Sequence, residues 1–118
     1  MEVKDVMKEL SKHPEGSFLQ LLKFNEFNFG ACDITGVSPV WEMHPDTDEF
    51  FYILEGQFEM TLLDGNTPSN HSVGSGSAFV VPAGIWHKPA APRGCRFIHF
   101  TPGDSLHSEA DDPRTQTA

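Results

Sequence analysis

Residues 41–56 read WEMHPDTDEFFYILEG, and their interpretation decides the fold. Glu42 and His44 are two apart, the spacing that puts side chains on one face of a β-strand. A tight polar segment from Pro45 to Asp48 follows, and Glu49 then opens the apolar run Phe50, Phe51, Tyr52, Ile53 and Leu54. Parity places Val40, Glu42 and His44 on one face of the first strand, and Glu49, Phe51 and Ile53 on one face of the next. Carboxylate and imidazole on a face that leads into a buried run need a reason to be there, because an unpaired carboxylate inside a barrel is costly. The opposite face carries Trp41, Met43, Phe50, Tyr52 and Leu54, a block too apolar to face water.

Working outward, the same kind of segment recurs. SFLQLLKF, FNFGACDIT, VSPVWEM, QFEMTLL, SAFVVP and CRFIHF are short runs rich in β-branched, aromatic and aliphatic residues. Gly, Pro, Asn and Asp clusters separate them, as at Asp64-Gly65-Asn66 and from Gly74 to Gly76. Many short strands at regular spacing predict an all-β sandwich or barrel. Ahead of them, residues 2–12 place Val3, Val6, Met7 and Leu10 at helical spacing, and Pro14 and Gly16 stop the helix. Residues 105–118 are polar and without period, and they read as a loosely held tail. The expected organisation is one domain over residues 1–104 followed by that tail.

A chain of 118 residues is long enough for one core without disulfide staples. Acidic residues outnumber basic ones, 17 to 8, for a formal charge of −9, and no basic cluster occurs. That excludes electrostatic binding to nucleic acid or to an anionic membrane. No stretch approaches the roughly 18 apolar residues of a membrane span, and the N-terminus has no signal core. Cys32 and Cys95 form no CxxC and no disulfide framework, so they read as reduced thiols in a cytoplasmic protein.

Two spaced motifs complete the pattern. GVSPVWEMHPDTDEFFYILEG sets Gly36, Glu42, His44, Glu49 and Gly56 at fixed intervals, and GSAFVVPAGIWH does the same for Gly76, Pro82, Gly84 and His87. Together they resemble the two-part signature of the cupin family. The resemblance covers residues 36–87 directly and implies a double-stranded β-helix, or jelly-roll barrel. The chain departs from the family pattern twice. Glu42 stands where the first histidine of His-x-His is expected, and Ala91 stands where the second motif often ends in asparagine.

The resemblance implies that His44, Glu49 and His87 are metal ligands inside the barrel, with Glu42 at the place of the fourth. The residues agree with it. His44 and Glu49 flank a tight turn, and His87 follows Pro-x-Gly, so imidazole and carboxylate can converge from separate strands as a divalent metal requires. For Glu42 two readings stand side by side: a second carboxylate ligand, or an inward carboxylate paired with an arginine such as Arg93 or Arg96. Asp46 and Asp48 read as solvated loop residues. Phe51 and Ile53, with Phe97 and His99, are expected to line the pocket. His13, His71 and His107 lie in polar surroundings and receive no role.

The expected cofactor is one divalent ion (Mn, Fe, Ni or Zn), acting as a Lewis acid or an O2-binding centre on a small organic molecule. Dioxygenase, lyase, decarboxylase and isomerase chemistry all occur on this architecture, and fold alone does not choose among them. The alternative is a non-catalytic small-molecule sensor with a degenerate or empty metal site. Small cupins like this one are commonly dimers, so the face bearing Trp41, Met43, Phe50, Tyr52 and Leu54 is expected either to form a homodimer interface or to pack under the N-terminal segment.

Overall fold

The computed structural model describes residues 1–115. One short helix precedes a curled antiparallel sheet. Helix α1 spans Val6–Ser11, shorter than the 2–12 expected from spacing. The reason is a cap: the Asp5 carboxylate accepts the Lys8 N–H at 3.1 Å, so the helix starts after it and Val3 is left exposed. Leu10 anchors α1 against Leu21 and Ala31, with Val6, Leu19, Leu22 and Leu54 around them.

The strands are β1 (Phe18–Phe24), β2 (Phe27–Val37), β3 (Trp41–Met43), β4 (Glu49–Leu62), β5 (Ser69–Gly74), β6 (Ala78–Val81), β7 (His87–Phe100) and β8 (Leu106–Ser108). Long, bent β4 and β7 pair with each other and run through the whole barrel. At one end of this pair lie β2 and β1 on one side and β6 on the other. At the other end lie β3 and β8 on one side and β5 on the other. The core fills the space between, built from Cys32, Phe51, Ile53, Phe58, Met60, Val81, Ala91, Cys95 and Phe97.

The runs EFFYILE and QFEMTLL, which read as separate strands, are one strand bent at Gly56. Before the bend Glu49, Phe51 and Ile53 are buried; after it Phe58 and Met60 are. The inward set changes from odd to even numbers because the register against β7 slips on either side of Gly56. β5, sequence SNHSVG, carried no strand signal. It pairs with β4 alone, so it is an edge strand with no second neighbour and needs no apolar face.

Residues 105–118 are not wholly a loose tail. Leu106, His107 and Ser108 form β8 and pair with Met43, Glu42 and Trp41. Beyond it, Pro113–Thr115 makes a 3-10 turn, and Arg114 Nη1 donates to the Gly65 carbonyl at 2.6 Å. Residues 116–118 lie outside the described part. Polar composition hid the strand because its bonds are to backbone, not to a core.

The apolar face divides. Trp41 is buried within its own chain, flanked by β8 and with Lys88 Nζ 5.3 Å from its ring centre. Leu54 packs into the α1 cluster. Phe50 and Tyr52 remain exposed, at 36 and 37%.

The bend at Gly56 sets up a test. Its φ is +87°, and a Cβ there would collide with the Gly94 carbonyl oxygen. Gly56→Ala should cost at least about 1–2 kcal/mol from the left-handed backbone alone, with the clash added. Gly65→Ala, with nothing within 4 Å of its added Cβ, should stay within about 0.5 kcal/mol of the parent. Urea midpoints of the two variants measure both.

Candidate metal centre

Four side chains meet between the two halves of the curled sheet. Glu42 sits on β3, His44 just past its end, Glu49 at the start of β4 and His87 at the start of β7. Glu42 and His87 face each other directly across the β3–β7 ladder. The turns on either side are tied together: the Asp48 carboxylate accepts the Ala83 N–H at 2.9 Å, and the Gly84 N–H donates to the His44 carbonyl at 2.8 Å. Asp48, read as a solvated loop residue, thus braces the turn that delivers His87.

The donor atoms converge. His44 Nε2 lies 3.2 Å from Glu42 Oε1 and 3.0 Å from Glu49 Oε1; His87 Nε2 lies 3.4 and 3.2 Å from the same two oxygens. One ligand atom from each of the four falls within 4.8 Å of all the others. Two donors each about 2.1 Å from a common ion stand about 3.0 Å apart at a right angle and about 3.4 Å apart at the tetrahedral angle. The observed separations match that range.

The imidazoles are oriented from behind. His44 Nδ1 is 3.2 Å from the Asp104 carbonyl and 2.9 Å from Ser105 Oγ, and His87 Nδ1 is 3.1 Å from the Ile85 carbonyl. A carbonyl accepts only, so Nδ1 carries the proton and the Nε2 lone pair is free in the neutral ring. His87 Nε2 is buried and makes no directed hydrogen bond despite the two oxygens nearby. A buried nitrogen left without an aligned partner, aimed at two carboxylates and a second imidazole, fits a divalent ion.

Charge follows from this packing. Burial pushes the Glu42 carboxyl up, but contacts with His44 and His87 outweigh it and hold it down at about 2. Glu49 is likewise held far below the ordinary range by His44 and His87 despite burial. Burial pushes both imidazoles down, yet the two carboxylates raise His44 to about 10 and His87 to about 9. Cys32, at the cavity wall, has its thiol pushed up by burial and by Glu49 and Glu42, so it stays protonated and offers no thiolate.

The cavity beside these residues measures about 400 Å³. Phe51, Phe97 and His99 lie along it, and Ile53 is fully buried two residues deeper along β4. His99 Nδ1 is 3.4 Å from Glu49 Oε2, and its ring rests against Gly30, where a Cβ would come within 2.6 Å of Nε2. Arg96 is not the partner of Glu42; it pairs with Asp33 at 3.0 Å. The partner that sequence reasoning missed is His107, whose Nε2 is 2.9 Å from Glu42 Oε2. A lone histidine in a polar stretch carries no signal until β8 is seen beside β3.

The family model for the cupin domain matches residues 34–100. The chain belongs to the cupin family. Among solved structures it resembles a cupin-2 domain containing protein from Shewanella frigidimarina NCIMB 400, at 28% identity and a TM-score of 0.76, over 85% of this chain and 94% of that one. A Neisseria meningitidis protein is similar at 20% identity and a TM-score of 0.71, over 84 and 97% of the two chains. A hydroquinone 1,2-dioxygenase from Sphingomonas sp. TTNP3, solved with 4-hydroxybenzoate bound, shares the fold at 15% identity and a TM-score of 0.67, over 81 and 71%. No curated protein matches the sequence. The fold is therefore the all-β jelly-roll barrel with a short N-terminal helix, and no described helix of this cupin is long and apolar enough to cross a membrane.

The charges predict a pH window for the metal-free cupin. Carboxylates with lowered values stabilise the fold above their ordinary value of 4.5, and this is lost as pH falls toward about 2. Imidazoles with raised values stabilise it below their ordinary 6.5, and this is lost as pH rises through about 9 to 10. The cluster therefore contributes fully between those ordinary values. Thermal melts in chelator should show a lower Tm at about pH 9.5 than at about pH 5.5, with a smaller fall in His87→Gln.

Proposed function

We propose that this cupin holds one divalent ion at Glu42, His44, Glu49 and His87 and acts on a small uncharged organic molecule in the adjoining cavity. The observation that carries the reading is the buried His87 Nε2, without an aligned partner and facing the other three donors. A bound ion would supply a Lewis-acid or redox centre. Two carboxylates suit Mn or Fe better than softer members of the set Mn, Fe, Ni and Zn, and with two neutral imidazoles they cancel the ion's charge. None of the described cavity-lining residues is lysine or arginine. With no counter-charge in the wall, a phenol, alcohol or carbonyl compound suits the site better than a carboxylate or phosphate. Phe51 and Phe97 would hold its apolar part, and His99 would meet a hydroxyl. Dioxygenase, lyase and isomerase chemistry fit such a ligand; a decarboxylase substrate would bring an uncompensated charge.

A second reading, a non-catalytic sensor, draws support from the charge balance of the metal-free site. Two imidazolium and two carboxylate groups neutralise each other there without an ion. Buried, unbridged Cys32 and Cys95 are in keeping with the reducing cytoplasm.

Elemental analysis of protein purified without chelator or a metal-affinity column should find about one divalent ion per chain, and its absence at every metal tried would leave the sensor. Binding displaces the two imidazole protons, so calorimetry in buffers of different ionisation enthalpy should register about two protons released per ion near pH 7. Glu42→His should keep or tighten binding, and Glu42→Ala should weaken it about tenfold or more with the barrel still folded. Equal affinity in Glu42→Ala and parent would reduce the site to a two-histidine, one-carboxylate triad.

The proposal includes a homodimer through the outer face that carries Phe50 and Tyr52. Phe29, Phe100, Phe50 and Val80 form one cross-strand row over β2, β7, β4 and β6, and Val80 is 52% exposed. Light scattering at micromolar concentration should give a dimer mass, reduced toward monomer in Phe50→Glu. A parent monomer mass would sink this part.

A further inference from the structure

We propose that His107, on the C-terminal strand β8, is a positioning residue of the metal centre: it fixes Glu42 as a ligand through one oxygen only. The inference rests on the metal reading above and goes beyond it, because His107 is not among the four converging donors. Three strands lie side by side here, with Glu42 on the middle one. His87 is its register partner on one side and His107 on the other. Directly opposed side chains on one face lie about 4.5–5.5 Å apart at Cβ, so the row is set by the backbone ladder and not by a chance surface contact.

The two oxygens of Glu42 are consequently divided. Oε1 faces His44 and His87, at 3.2 and 3.4 Å, and Oε2 is held by His107 Nε2 at 2.9 Å. A carboxylate with one oxygen occupied by a donated N–H has one left for an ion. Glu49 repeats the arrangement: Oε1 faces the two imidazoles and Oε2 is 3.4 Å from His99 Nδ1. Single-oxygen binding by both carboxylates, together with the two imidazoles, would take four positions on a bound ion and leave room for a substrate.

The same segment also reaches a second ligand. The Asp104 carbonyl and Ser105 Oγ hold His44 Nδ1. Residues 104–107 therefore touch two of the four donors. Further along the chain Arg114 bonds the Gly65 carbonyl and pairs with Asp112. The His107 side chain is 57% exposed, so it can be replaced without opening the core.

Co2+ titration of the full chain, followed by its d–d absorption, tests this with His107→Ala and His107→Gln. The alanine variant should bind Co2+ about tenfold or more weakly and shift the d–d bands, because Glu42 is freed to turn or to bind through both oxygens. The glutamine variant keeps an N–H donor and should recover affinity to within about threefold, together with the parent spectrum. Far-UV circular dichroism and the metal-free Tm should be the same in all three. If the parent binds Co2+ and His107→Ala matches it in affinity and spectrum, the positioning role is overturned while the metal site stands. A loss in alanine that glutamine does not rescue also overturns it, since packing rather than the hydrogen bond would be responsible. A parent that binds no Co2+ overturns the metal reading and this inference together.

Discussion

Two carboxylates and two imidazoles share one small volume at the mouth of the barrel, and each is tolerable there only because of the others. Burial disfavours every one of these charges taken singly. Together they balance, either as two ion pairs or as four ligands around a cation. Much of the local backbone serves this convergence. The turn after β3 places Glu49 opposite His44, the Asp48 brace holds the turn before His87, and the bond from Gly84 to the His44 carbonyl locks the two loops together.

Around that cluster the barrel supplies what it lacks, namely direction. The imidazoles are turned by carbonyl oxygens of Asp104 and Ile85, which fixes the ring nitrogen presented to the centre. The carboxylates are turned by His107 and His99. The wall beside them mixes Ile34, Val40, Phe51 and Phe97 with Ser38 and Ser105 and, among the described residues, holds no lysine or arginine. Glu42 is the place where this chain leaves its family's pattern, and it is also where the chain adds a partner, His107, from beyond the signature motifs.

The long strands make such a small site possible. β4 and β7 each cross both ends of the barrel, bending where Gly56 and Gly94 take positive φ. The bend flips the inward set of β4, so its first half delivers Glu49 and Phe51 to the cavity while its second half delivers Phe58 and Met60 to the core. One strand thus carries both Glu49 and the packing beneath it. The close approach of Gly56 to the Gly94 carbonyl admits no side chain at that point.

Period was enough for an all-β sandwich or barrel and for the parity of Glu49, Phe51 and Ile53, because alternation along a strand is a local property of the chain, while His44, Glu49 and His87 as a group came from the resemblance of the two motifs to the cupin signature. Glu42 was legible as a member of the inward face, but its partner was not: the choice between an arginine and a histidine depends on which strand lies next to β3. Only the tertiary structure decided that Arg96 goes to Asp33, that a polar C-terminal stretch pairs with β3 and brings His107 to Glu42, and that the segment SNHSVG forms an edge strand. It also decided that Ile53 sits below the cavity and that Trp41 is covered by its own chain. Each of these is a relation between residues far apart in sequence, set by backbone hydrogen bonds that leave no mark on composition.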